Sequence, residues 1–187
     1  MTQISKFIIA LLLLGFISCK SDGQSSSKGA TKAREDSNIE MDEDDETSTD
    51  LAEITPLTES QFKEAFPKSI NGWPLDDEIK VVKQQATADY GDGNFTLTIY
   101  DCSGKNTTMA NLFETTYAIK AQDNDHTKHI NKIRDGIKTI TTYRTDKNES
   151  TLVFLHRKRW FVVLKRKNSN PDKLWSEFDR DNLKNFK

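Results

Sequence analysis

An uncharged apolar run of eleven residues, 7–17 (FIIALLLLGFI), sits near the start of the chain and gives way to a polar stretch that lasts to about residue 55. A helix needs ~20 residues to cross a hydrocarbon core of about 30 Å, so this run is too short to span one. It has the length of the apolar region of a secretory signal, and Lys6 supplies the short positive segment before it. Residues 56–187 are then left for folding, enough for one sizeable core close to the commonest domain size. The fold must be built there.

Phe16-Ile17-Ser18-Cys19 follows the apolar run directly. The motif resembles the lipobox of bacterial lipoproteins, in which large apolar, branched or small, and small residues precede a Cys. Phe16 departs from that pattern, where Leu is usual. The resemblance covers the first 19 residues. It implies thioether diacylglyceryl transfer to the Cys19 sulfur, cleavage of residues 1–18, and acylation of the new amine. Each buried lipid CH₂ contributes about 0.8 kcal/mol and stable anchoring takes more than one acyl chain, a condition that a triacylated (palmitate-type) Cys19 meets. The expected location is the cell envelope, anchored to a membrane rather than spanning it. The outer membrane is favoured, with the domain facing the periplasm or the exterior.

Residues 19–55 read as a tether. Ser25-Ser26-Ser27-Lys28-Gly29 is flexible-linker composition, and Asp42-Glu43-Asp44-Asp45-Glu46 is a block of five like charges. Such a segment has too little apolar surface to offset the entropy of ordering it. Its mean reach is on the order of 30–35 Å. The acidic block could bind cations or mark the chain for export; a solvated spacer is the simpler expectation. Residues 1–55 hold five of the 27 Lys and Arg but 11 of the 29 Asp and Glu, so the remainder carries 22 against 18, a net of +4. The domain is mildly basic, which does not by itself imply nucleic acid.

Within 56–187, Thr58-Glu59-Ser60-Gln61 has capping-box spacing, and Phe62, Ala65 and Phe66 place a short helix before Pro67. Ile70-Asn71-Gly72-Trp73-Pro74 is a turn that sets a Trp against the core. Residues 79–88 and 95–100 flank the turn cluster 89–94 and read as a hairpin. Met109, Leu112, Phe113, Thr116 and Tyr117 define the main amphipathic helix over 107–121. Three strands follow at 136–145, 151–156 and 159–165, the last apolar on both faces and so central. Asn170-Pro171 starts a final helix with Leu174, Trp175 and Phe178 inward. Tight turns imply antiparallel pairing. The expected class is α+β, a five-stranded antiparallel sheet with packed helices in the order α-ββ-α-βββ-α.

No phosphate loop, nucleophile elbow or paired zinc-binding Cys motif is present in the sequence, and no cofactor is implied. Three constellations remain. Asp123, Asp125, His126 and His129 offer metal-ligand types at close spacing, but in a polar loop where a calcium site would need Gly for Lys128 and Glu for Arg134. Arg157, Lys158 and Arg159, with Lys165-Arg166-Lys167 at the far end of the same strand, could meet an anion or a lipid headgroup, or could simply keep strand ends soluble. Cys102 has no intrachain partner if Cys19 carries lipid; a helix starting near Lys105 could lower its pKa, yet a small buried side chain is the simpler role. No aromatics are interleaved for base stacking, so nucleic acid is not an expected partner. The sequence favours a non-enzymatic binding or interaction domain tethered to the bilayer through Cys19, its partner an envelope protein or small ligand. The competing readings are a metal- or thiol-dependent envelope enzyme using His126, His129 or Cys102, and an adaptor for anionic surfaces.

Overall fold

The computed structural model describes residues 50–187; the proposed leader, Cys19 and the tether up to residue 49 lie outside the described residues. The described residues fold into three short helices and nine strands. They are α1 (Glu59–Ala65), β1 (Ser69–Ile70), β2 (Trp73–Pro74), β3 (Lys80–Val82), β4 (Gln85–Tyr90) and β5 (Phe95–Asp101). Then come α2 (Thr108–Ala118), β6 (Thr127–Arg134), β7 (Ile137–Arg144), β8 (Glu149–His156), β9 (Trp160–Lys167) and α3 (Pro171–Glu177). A 3-10 turn at Gly104–Asn106 precedes α2, and another at Arg180–Leu183 follows α3.

The α+β class and the antiparallel pairing are as expected; the strand count is not. Seven strands form the main sheet, in the order β3-β4-β5-β9-β8-β7-β6, and β1 and β2 make a separate hairpin. The segment 79–88 is not one strand. It breaks at Lys83, whose φ of 55° turns the chain back on itself, so that Val82 faces Gln85. The polar loop expected around residue 129 is instead the outer strand β6, paired with β7 over its full length. Its two isoleucines, Ile130 and Ile133, fall on opposite faces, so no period of two was visible. An outer strand has one neighbour and tolerates polar side chains.

Local signals explain most of the remaining elements. The Thr58 side chain accepts from the Gln61 amide while the Gln61 side chain accepts from the Thr58 amide, closing the capping box on α1. Asn170 caps α3, with Pro171 in its first turn. Asn71-Gly72 and Asp135-Gly136 take left-handed conformations, φ 52° and 79°, then 48° and 78°, as two-residue hairpins require. Strand β9, apolar on both faces, is the fourth of seven strands, between β5 and β8.

One face of the sheet is buried across its central strands β4, β5, β9 and β8. Ala86, Ala88, Tyr90, Phe95, Leu97, Ile99, Leu152, Phe154, Val162 and Leu164 point into it. Phe62 and Phe66 of the α1 segment cover it, together with Leu174, Phe178, Leu183 and Phe186. Burying one such side chain stabilises by about 1.5–3 kcal/mol. Phe95 stacks on Phe178 at 6.0 Å, and Trp160 meets Phe186 edge-on at 5.2 Å. The opposite face is covered in part by α2, where Phe113 packs on Phe161 at 6.2 Å. Asn131 of β6 donates to the Tyr117 carbonyl (2.6 Å), and Lys138 of β7 pairs with Glu114 (2.7 Å), fixing that helix. The core and the side chains packed on it lie between Leu57 and Phe186, so the unit carries its own interior.

Candidate functional site

Strand registers bring four loops to one end of the sheet. The β3–β4 turn at 83–84, the segment leaving β5 at 102–107, the β6–β7 turn at 135–136 and the β8–β9 loop at 157–159 all lie there. Both termini of the described unit reach the same end. The Gly104 amide donates to the Leu51 carbonyl (2.7 Å), so contacts of the domain begin before Pro56. Phe186 rests on Trp160. We term this the proximal end.

Its anchor is an ion pair. Asp101 closes β5 with its carboxylate on the buried face and no solvent exposure. Arg159 approaches in fork geometry, Nε donating to Oδ1 (2.9 Å) and Nη2 to Oδ2 (2.7 Å). The Leu57 amide (2.9 Å) and the Ser103 amide (3.1 Å) complete the shell. Burial pushes the Asp101 pKa up, but Arg159 and these two amides outweigh it and hold the carboxyl below its ordinary value. The Arg159 guanidinium also lies over the Trp160 ring at 4.2 Å and reaches the Thr55 carbonyl at 3.5 Å. The incoming chain, β5 and β9 are thus tied at one point.

This geometry changes the reading of the basic run. Arg159 is committed to Asp101, whereas Arg157 and Lys158 are exposed at the loop tip. Both occupy left-handed backbone, φ 50° and 56°. For a residue with a Cβ that conformation costs about 1–2 kcal/mol, and Asn or Gly would hold it more easily. Lys165-Arg166-Lys167 sits at the opposite, distal end. Lys165 pairs there with Glu149 (3.2 Å), and Arg166 meets Glu177 and covers the Trp73 ring at 4.7 Å. The two basic runs do not form one site.

The candidate metal residues do not converge. Asp123 accepts from the His129 backbone amide (2.7 Å), an interaction that holds its carboxyl below the ordinary range. Asn124 accepts from the His126 amide (3.0 Å). These contacts build the turn into β6, and Asp125 belongs to the same turn. Among the described residues no group of three or more His, Cys, Asp or Glu side chains is placed to hold an ion.

Cys102 is fully buried, and burial pushes its thiol up to about 11. The segment leading into α2 does not offset that, so the sulfur stays protonated at neutral pH. Alkylation of residues 50–187 at pH 8 is expected to be slow in the native state and fast in denaturant, as mass spectrometry would record; equal rates in both would contradict the burial.

Two shallow grooves complete the surface. One, of about 490 Å³, runs at the proximal end between Leu57, Gln61, Glu64, Ala65, Asn185 and Lys187. The other, of about 250 Å³, lies on the partly covered face between Asp89, Thr96, Asn94 and Lys165. In the second, the Thr96 hydroxyl donates to the Asp89 carboxylate (2.6 Å), and Lys165, on the same wall, is paired with Glu149.

Sequence reading missed that the proximal end collects scattered cations. Lys83, Lys105, Lys184 and Lys187 are exposed there beside Arg157 and Lys158. They lie in three separate segments, and only the topology makes them neighbours of the β8–β9 loop. Compared with known protein families, curated proteins and solved structures, the chain matches none.

Proposed function

We propose that the protein is a lipid-anchored component of the bacterial cell envelope whose domain binds or positions a partner rather than catalysing a reaction. The observation that carries this reading is the apolar run at 7–17 followed at once by Phe16-Ile17-Ser18-Cys19 and a polar stretch. The position of residues 51–57 at one end of the domain fits a tether arriving from a membrane. In this reading the acylated Cys19 holds the domain at the bilayer, residues 20–49 set its distance, and the interaction surface lies on the domain. The protonated, buried Cys102 and the dispersed His126 and His129 give no support to the enzymatic alternative.

Replacing Cys19 with Ala in the full chain is the test. Expressed in a bacterium with the lipoprotein pathway, the native chain is expected in the detergent-soluble membrane fraction. The variant should lose incorporation of labelled palmitate and leave that fraction. Palmitate incorporation that survives in Cys19→Ala would defeat the proposal.

A further inference from the structure

We infer that the free half of the outer strand β6 is a docking edge for an extended segment of a partner protein. That segment adds an antiparallel strand to the sheet and carries carboxylates at alternate positions. The inference deepens the proposal that the domain binds a partner, and it rests on that reading.

The backbone defines the edge. The β6–β7 turn has two residues, Asp135 and Gly136, both at positive φ, so Arg134 and Ile137 exchange ladder bonds across it. Ladder bonding alternates along an antiparallel strand. Lys128, Ile130, Lys132 and Arg134 therefore bond inward to β7, while the backbone groups of Thr127, His129, Asn131 and Ile133 face out. Two of the outward amides are occupied. Thr127 donates to the Asn124 carbonyl (3.3 Å) and His129 to the Asp123 carboxylate (2.7 Å). Among the described residues nothing bonds the amides of Asn131 and Ile133. Residues 130–134 thus present about 17 Å of unpaired ladder, at roughly 3.4 Å per residue, a template for one more strand.

Side chains select what can lie there. Ile133 is 60% exposed on the face that carries α2. The Asn131 side chain donates to the Tyr117 carbonyl at the end of that helix (2.6 Å), and Ile119, 68% exposed, lies in the short span between this contact and Asp123. Two of the four large apolar side chains left exposed in the described residues therefore adjoin this one edge. On the other face Lys132, its side chain 54% exposed, shares Asp172 with Arg134 at 3.4 and 3.1 Å, two cations to one carboxylate. An added strand sets alternate residues against the two rows. A carboxylate fits opposite Lys132, and β-branched apolar residues fit opposite Asn131 and Ile133.

A second copy of the chain does not meet this requirement. Four antiparallel registers set Asn131 or Ile133 against the outward residues 129–133 of another β6. They place Lys128 on Lys132, Lys128 on Arg134, Lys132 on Lys132, or Lys132 on Arg134. Like charges directly opposite are destabilising. The lysine that blocks self-pairing is the one that recruits an acidic strand.

The test follows the backbone amides of isotope-labelled residues 50–187 by NMR during titration with synthetic peptides in which Val alternates with Glu or with Lys. The Val–Glu peptide is expected to shift the Asn131 and Ile133 amides and slow their exchange with solvent, and the Val–Lys peptide to leave them unchanged. Lys132→Glu should weaken the Val–Glu peptide roughly three- to tenfold and strengthen the Val–Lys peptide, a reversal that misfolding cannot produce. N-methylation of the Val residues, whose amides face the edge, should abolish binding, and N-methylation of the Glu residues should preserve it. No shift at Asn131 and Ile133 with about 5 mM peptide would overturn the inference. So would equal binding of the two peptides, binding that survives N-methylated Val, or self-association that protects these amides without peptide. Acylated Cys19 with no shift would leave the anchor and remove the edge; a bare Cys19 with the shifts intact would do the reverse.

Discussion

Replacing Arg159 with Ala is expected to destabilise the domain by about 3–5 kcal/mol, the range found when one member of a buried ion pair is removed. The variant would leave the Asp101 carboxylate, fully buried, with only the Leu57 and Ser103 amides. It would also strip the cation from the face of Trp160. Urea unfolding followed by tryptophan fluorescence would read the loss, with a drop in melting temperature of roughly 10–20 °C. The pH dependence carries a second signature. The folded pKa of Asp101 lies below its unfolded value, so the stabilisation is present above about pH 4 and disappears as pH falls through the folded pKa. The gap between native and variant should therefore be widest near neutrality and narrow in acid. A pH-independent gap, or a variant as stable as the native domain, would show that the clasp does not hold this end together.

The second large effect concerns the last residues. Chain termini commonly fray, yet Phe186 has no solvent exposure and packs against Phe62, Phe66 and Trp160 at 6.5, 5.7 and 5.2 Å. Phe186→Ala should cost about 3–5 kcal/mol through lost burial and the cavity left behind. Removing residues 184–187 should cost at least as much. His156 makes the same point from the other side. Burial and the Arg157 and Arg180 charges lower its pKa, an effect the nearby Phe186 backbone partly offsets. Its contribution is thus present above the unfolded value of about 6.5 and falls as pH drops toward the folded one. A truncated chain that melts within about a degree of the native one would contradict the plug.

What the sequence revealed and what it concealed follow from the range of each interaction. Thr58 with Gln61 and Asn170 with Pro171 act over a few residues and were legible. So was the central place of β9, because apolar residues on both faces require cover on both sides. Strand β6 was hidden, since an outer strand need not alternate, and its His129 together with Asp123, Asp125 and His126 of the preceding turn resembled a ligand set. Asp101 and Arg159 lie 58 residues apart, and nothing local marks them as partners. The adjacent cations Arg157, Lys158 and Arg159 divide for the same reason between a buried clasp, which takes Arg159, and an exposed tip, a division no local pattern announces. The proximal cluster depends on strand order, which no single segment encodes.

The most direct measurement is the intact mass of the chain recovered from a bacterial membrane. Cleavage before Cys19, a diacylglyceryl group on its sulfur and an acyl group on its amine should all appear in that mass, and the lipid should map to the N-terminal peptide. A mature protein with a bare Cys19 thiol, or one that still begins at Met1, would contradict the account.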